Sequence, residues 1–66
     1  MFKEYDIVKI NHDIPGEKIK EGTRGVIVMI YDEPNLPVAY EVEFFGKNGE
    51  TLRLVTLKED DLYEIE

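Results

Sequence analysis

Glu41 and Glu43 lie two residues apart in the run Val38 to Phe45. On a β-strand that spacing sets both carboxylates on one face, about 7 Å apart. Such a pair serves acid–base hydrolysis only when one group is held dry and protonated while the other ionises. Tyr40, Val42 and Phe44 take the opposite face, so solvent is the expected environment of the pair, and an acidic strip offered to a partner its expected role. His12, the single histidine, stands beside Asp13, an arrangement that suits a base oriented by a carboxylate. The chain has no Ser or Cys for it to activate, and its aliphatic hydroxyls are Thr23, Thr51 and Thr56. Thr23 follows Gly22 and Thr51 lies close to Gly49, positions that fit a local hydroxyl–backbone bond. Asp32-Glu33 and Glu59-Asp60-Asp61 offer oxygens to a hard cation. A calcium loop, however, supplies about six to eight oxygens from an ordered frame with a specific glycine, so Asp60 or Asp61 is expected to cap a short turn instead. Gly22-Thr23-Arg24-Gly25 lacks the lysine and helix start of a phosphate loop and reads as a sharp turn. The expectation is a protein with no catalytic residue, no metal and no cofactor.

The elements that must position these groups come from a short chain. Sixty-six residues hold one domain, 1–66, with an expected radius of gyration of about 11 Å. The absence of Cys excludes disulfides and thiolate metal sites, and 42% apolar residues set the chain apart from a disordered acidic tail. Met1 to Asp6 has no basic segment followed by a long apolar run, and the longest apolar stretch, Val26 to Tyr31, falls far short of the roughly twenty residues that span a bilayer. No leader, no membrane and a cytoplasmic location are expected. A net charge of −7 with scattered Lys and Arg opposes a phosphate backbone and favours a basic protein.

Apolar runs separated by turn residues point to an all-β fold. Tyr5 to Ile10 sets Val8 and Ile10 on one face. The stretch from Asn11 to Thr23, with Pro15, Gly16 and Gly22, is a long loop whose centre curls back through Ile14 and Ile19. Arg24 to Tyr31 is continuous enough for a central strand, with Val26, Val28 and Ile30 on one face and Ile27, Met29 and Tyr31 on the other. Pro34 and Pro37 stop it. Val38 to Phe45 alternates cleanly, Asn48-Gly49 makes a hairpin, and Thr51 to Leu57 follows, with Leu52 and Leu54 assigned inward. A charged 3₁₀ turn then leads to a short fifth strand from Leu62. Closing five strands hides both edges and core, so the expected architecture is a small five-stranded SH3-like barrel with a long first loop and a short 3₁₀ turn before the last strand. An OB-fold is the competitor.

These residues also carry a likeness. Phe2-Lys3-Glu4-Tyr5-Asp6-Ile7-Val8 is followed by Ile14-Pro15, then by Ile19-Lys20-Glu21-Gly22-Thr23-Arg24-Gly25-Val26-Ile27-Val28. Ala39-Tyr40-Glu41-Val42-Glu43-Phe44, Gly49-Glu50-Thr51, Val55-Thr56-Leu57 and Asp61-Leu62 complete the series. In order and spacing the chain resembles the bacterial family known as domain of unknown function 4926. The resemblance implies an SH3-like fold with no assigned activity, and an antitoxin or immunity role for members encoded beside toxin-like partners. Gly22-x-x-Gly25-x-Ile27 is also similar to the second-strand entry of the KOW motif, which makes a nucleic-acid-binding barrel the alternative. The chain departs from those relatives in lacking a basic strip, so nucleic-acid binding is not the first expectation.

The favoured reading is therefore a non-catalytic acidic module that binds, and as an antitoxin would neutralise, a basic protein. Its contact residues are expected to be Glu41 and Glu43 for charge and Ile27, Met29 and Tyr31 for apolar cover. The same spare apolar face suits a homodimer.

Overall fold

The computed structural model describes residues 1–65, with a radius of gyration of 11.3 Å. Five antiparallel strands form one sheet in the order β4-β3-β2-β1-β5. They are β1 (Ile7–Ile10), β2 (Arg24–Tyr31), β3 (Ala39–Phe45), β4 (Thr51–Lys58) and β5 (Leu62–Glu64). Two 3₁₀ turns, Pro15–Glu17 and Glu59–Asp61, interrupt the long first loop and join β4 to β5.

The order has a geometric consequence. β4 and β5 are the two edges of the sheet, yet three residues connect them. A flat five-stranded sheet would separate its edges by about 19 Å, whereas a 3₁₀ segment of that length advances about 8 Å. The sheet must therefore coil around its own inner face. That face carries Val8 and Ile10 of β1, Ile27 of β2, Tyr40, Val42 and Phe44 of β3, Val55 and Leu57 of β4, and Leu62 of β5. Ile19 plugs it from the first loop, where an isolated bridge pairs Ile14 with Ile19, the inward curl expected there.

Coiling stops short of closure, which corrects the barrel expectation: the sheet is open, and β4 does not pair with β5. The three-residue β5 spends its ladder on β1, and the second 3₁₀ turn fills the gap. Asn11, directly after β1, extends that pairing: its N–H donates to the Asp61 carbonyl at 3.0 Å and its side-chain amide to the Asp60 carbonyl at 2.6 Å. On the other side of the opening, Arg53 of β4 reaches Glu17 of the first loop at 3.2 Å.

Two strands depart from the expected facing. The register between β2 and β3 shifts between Ile27 and Met29, a bulge that removes Val28 from the alternation. Ile27 stays inward, opposite Val42, but Met29 pairs with the outward Glu41 and Ile30 with the inward Tyr40. Ile27 and Met29 therefore do not share a face. In β4 the inward residues are Val55 and Leu57, while Leu52 and Leu54 are 57% and 56% exposed, reversing the expected assignment. The hairpin sets this phase, because Leu54 lies opposite Glu43 and Val55 opposite Val42. β3 has the expected phase, with Tyr40, Val42 and Phe44 buried.

Candidate functional site

The outer face of the sheet is where the charged and apolar candidates meet. β3, between β2 and the edge strand β4, sets Glu41 and Glu43 outward, between Met29 and Val26 on β2 and Thr56 and Leu54 on β4. Neither carboxylate is a loose solvated group. Oε1 of Glu41 accepts the Thr56 hydroxyl at 2.6 Å and the Tyr31 hydroxyl at 3.4 Å. Oε2 of Glu43 accepts the Thr51 hydroxyl at 2.5 Å. Each donor comes from a neighbouring strand, so both side chains are half-buried and held in fixed directions. Thr51 and Thr56 thus orient carboxylates across the hairpin, in place of the local backbone bond expected for Thr51. Thr23 does make such a bond, to the Lys20 carbonyl at 2.6 Å.

Apolar side chains frame this pair. Met29 is 50% exposed and Tyr31 40%, with Leu54 beyond Glu43 and Ile7 opposite Val26. Desolvation on the face and the neighbouring Glu41 carboxylate push the Tyr31 phenol above its ordinary value, so it stays a hydrogen-bond donor through neutral pH. Of the expected contact residues, Glu41, Glu43, Met29 and Tyr31 come together here. Ile27 does not, because it is fully buried against the inner core and has no surface to offer. Leu54 takes its place on the face, and hairpin register was the signal that would have found it.

His12 lies in the first loop, beside the turn that follows β4. Its Nε2 sits 2.6 Å from Oδ1 of Asp61 and its Nδ1 2.9 Å from the Asp13 carbonyl oxygen. The hydrogen bond to Asp61 is the main reason that the ring is held more basic than usual. Asp61 also accepts the Lys58 N–H at 2.9 Å, which is the capping role expected for one of the two aspartates. The exposed imidazole thus joins the first loop to the second 3₁₀ turn through one carboxylate. Among the described residues no group of three or more His, Asp or Glu converges for a metal ion. No described helix is long and apolar enough to cross a membrane.

Comparison with known families decides the relationship. The family described as Domain of unknown function (DUF4926) matches residues 4–64. The chain belongs to that family. The match runs from the residue before Tyr5 to the end of β5, so the outer face and the His12–Asp61 contact both lie within the matched residues. No curated protein and no solved structure matches the chain.

Proposed function

We propose that this DUF4926 protein is a non-catalytic binding module that takes a basic protein onto the outer face of its sheet. The observation that carries the reading is the placement of Glu41 and Glu43 on that face between β2 and β4, oriented by three hydroxyls and framed by Met29, Tyr31 and Leu54. Fixed carboxylates inside an apolar frame complement Lys or Arg side chains set among apolar neighbours, and the net charge of −7 draws such a surface in. A partner that uses its basic groove to hold a polyanion would be blocked by this contact, which is the chemistry of an antitoxin or immunity protein acting in the cytoplasm.

The test uses the tagged chain in its native host, with Glu41→Lys/Glu43→Lys as the paired bait. A basic protein captured by the parent and lost by the variant supports the reading. With that partner in hand, charge reversal should slow association roughly ten- to a thousandfold at low salt and much less at high salt. Met29→Asp should instead speed dissociation. Recovery of no basic protein, or of one indifferent to the reversal, overturns the proposal.

A further inference from the structure

The outer edge of β4 is a second unsatisfied surface, which adjoins the face just described and shares Leu54 with it. β4 is eight residues long and closes one side of the sheet. Among the described residues its backbone makes no hydrogen bond to backbone other than its ladder with β3. Native edges of this length are commonly blunted by Pro, by inward charge or by a covering loop. β4 contains no proline; its one inner-face charge is Arg53, opposite Phe44 and tied to Glu17 of the first loop at 3.2 Å, while Leu52 and Leu54 are among the most exposed apolar side chains of the protein. The opposite edge, β5, is three residues long and offers little to pair with.

Charge identifies the occupant. In a chain with fifteen carboxylates, Thr51 to Lys58 has none and carries Arg53 and Lys58. It is therefore where two copies of an acidic protein approach with least repulsion, and a poor place for a basic peptide strand. Symmetric antiparallel pairing sets each residue opposite its mirror about a central one, which discriminates among registers. Centred on Arg53, the pairing opposes two guanidinium groups, a destabilising cross-strand pair. Centred on Leu54, it sets Leu54 against Leu54 and Leu52 against Thr56 of the second copy. The same register brings Lys58 of each chain to the Glu50 end of the other.

We infer that the protein forms a two-fold symmetric dimer by antiparallel pairing of β4 with β4 of a second copy, in the register centred on Leu54. Two five-stranded sheets then run on as one across the interface. The contact is isologous, with the same edge used on both sides. It leaves Met29 and Tyr31, two strands away on β2, outside the new ladder.

Sedimentation equilibrium up to about 1 mM protein reads the association directly. The parent chain is expected to dimerise, and Leu54→Lys to weaken the dimer at least tenfold while its circular dichroism stays that of the parent, since Leu54 is outside the core. A parent chain that stays monomeric throughout overturns the inference, and so does a dimer that Leu54→Lys leaves intact. Register has its own readout because the chain contains no cysteine. Directly opposed residues of an antiparallel pair have Cα atoms about 4.5–5.5 Å apart, within disulfide range. Leu54→Cys should cross-link under mild oxidation at least tenfold faster than Leu36→Cys, a similarly exposed site on a distant loop. Equal rates refute the register.

Discussion

Tyr40 donates its phenolic hydrogen bond to Oε1 of Glu59 at 2.5 Å, and thereby joins the start of β3 to the turn that links the two edges of the sheet. The ring is fully buried and stacks edge-on with Phe2 at 5.3 Å between centroids. Its oxygen also accepts the Phe2 N–H at 3.1 Å. Burial, with the Glu59 carboxylate adding to it, pushes the phenol above its ordinary value, so this donor persists through the neutral range. One hydroxyl thus holds the N-terminal segment, the core and the connection between the edge strands.

Tyr40→Phe keeps the ring and removes both hydrogen bonds, leaving the Phe2 N–H without its acceptor. The expected cost is about 1–3 kcal/mol, since a hydrogen bond to a charged group contributes more than a neutral one. Urea denaturation measures it. An unchanged midpoint would show that water replaces the hydroxyl without loss.

Gly25 is buried on β2 at a close approach of the chain. A Cβ there would stand 2.7 Å from Cγ1 of Val42, 2.9 Å from the Phe44 ring and 3.0 Å from the Glu43 carbonyl oxygen. Gly25→Ala should therefore cost about 1–3 kcal/mol through overpacking. At Gly46 the added atom meets the Glu50 side chain, which can swing away. Gly46→Ala should be the milder change in a thermal melt, and the reverse ranking would contradict the packing described for β2 and β3.

The phase of β4 is open to a direct comparison. Leu57→Ala removes a buried side chain and should cost about 2–5 kcal/mol, a large fraction of the stability of so small a domain. Leu54→Thr changes an exposed position of good strand propensity and should stay within about 0.5 kcal/mol. Denaturation at concentrations low enough to keep the chain monomeric separates the two. Equal losses would mean that Leu54 is covered.

The His12–Asp61 clamp gives stability a dependence on pH. The folded state raises the His12 pKa, so the contribution is full below the unfolded value and is lost as pH rises through the folded one. Asp61 behaves oppositely. Burial raises its pKa, but the Lys58 N–H and the His12 ring outweigh this and lower it overall. Its contribution is therefore full above the unfolded carboxylate value and is lost as pH falls through the folded one. Both are at full strength between about pH 4 and 6.5. His12→Gln should lower the urea midpoint more at about pH 5.5 than at about pH 9. An equal loss at both would reduce the pair to a neutral hydrogen bond.

Local alternation determined the outline of the protein. Val38 to Phe45 has one apolar and one acidic set, so only one phase buries the first and wets the second, and β3 is legible from its residues alone. Arg24 to Tyr31, the Asn48-Gly49 hairpin and the charged turn before β5 are marked just as plainly, because apolar runs and turn residues act within a few positions of themselves. Strand β4 offers two apolar sets, Leu52 with Leu54 and Val55 with Leu57, between which alternation is silent. Its phase is nonetheless latent in the chain: folding about Asn48-Gly49 sets Leu54 opposite the outward Glu43. The rest was decided in three dimensions. The bulge at Val28, which parts Ile27 from Met29, arises from the fit of β2 to β3 and leaves no local mark. His12 meets Asp61 only because β5 returns beside β1 from the far end of the chain. Whether the coiled sheet closes depends on how far β4 and β5 extend past the turn between them, and a β5 of three residues, already paired with β1, leaves the edges apart.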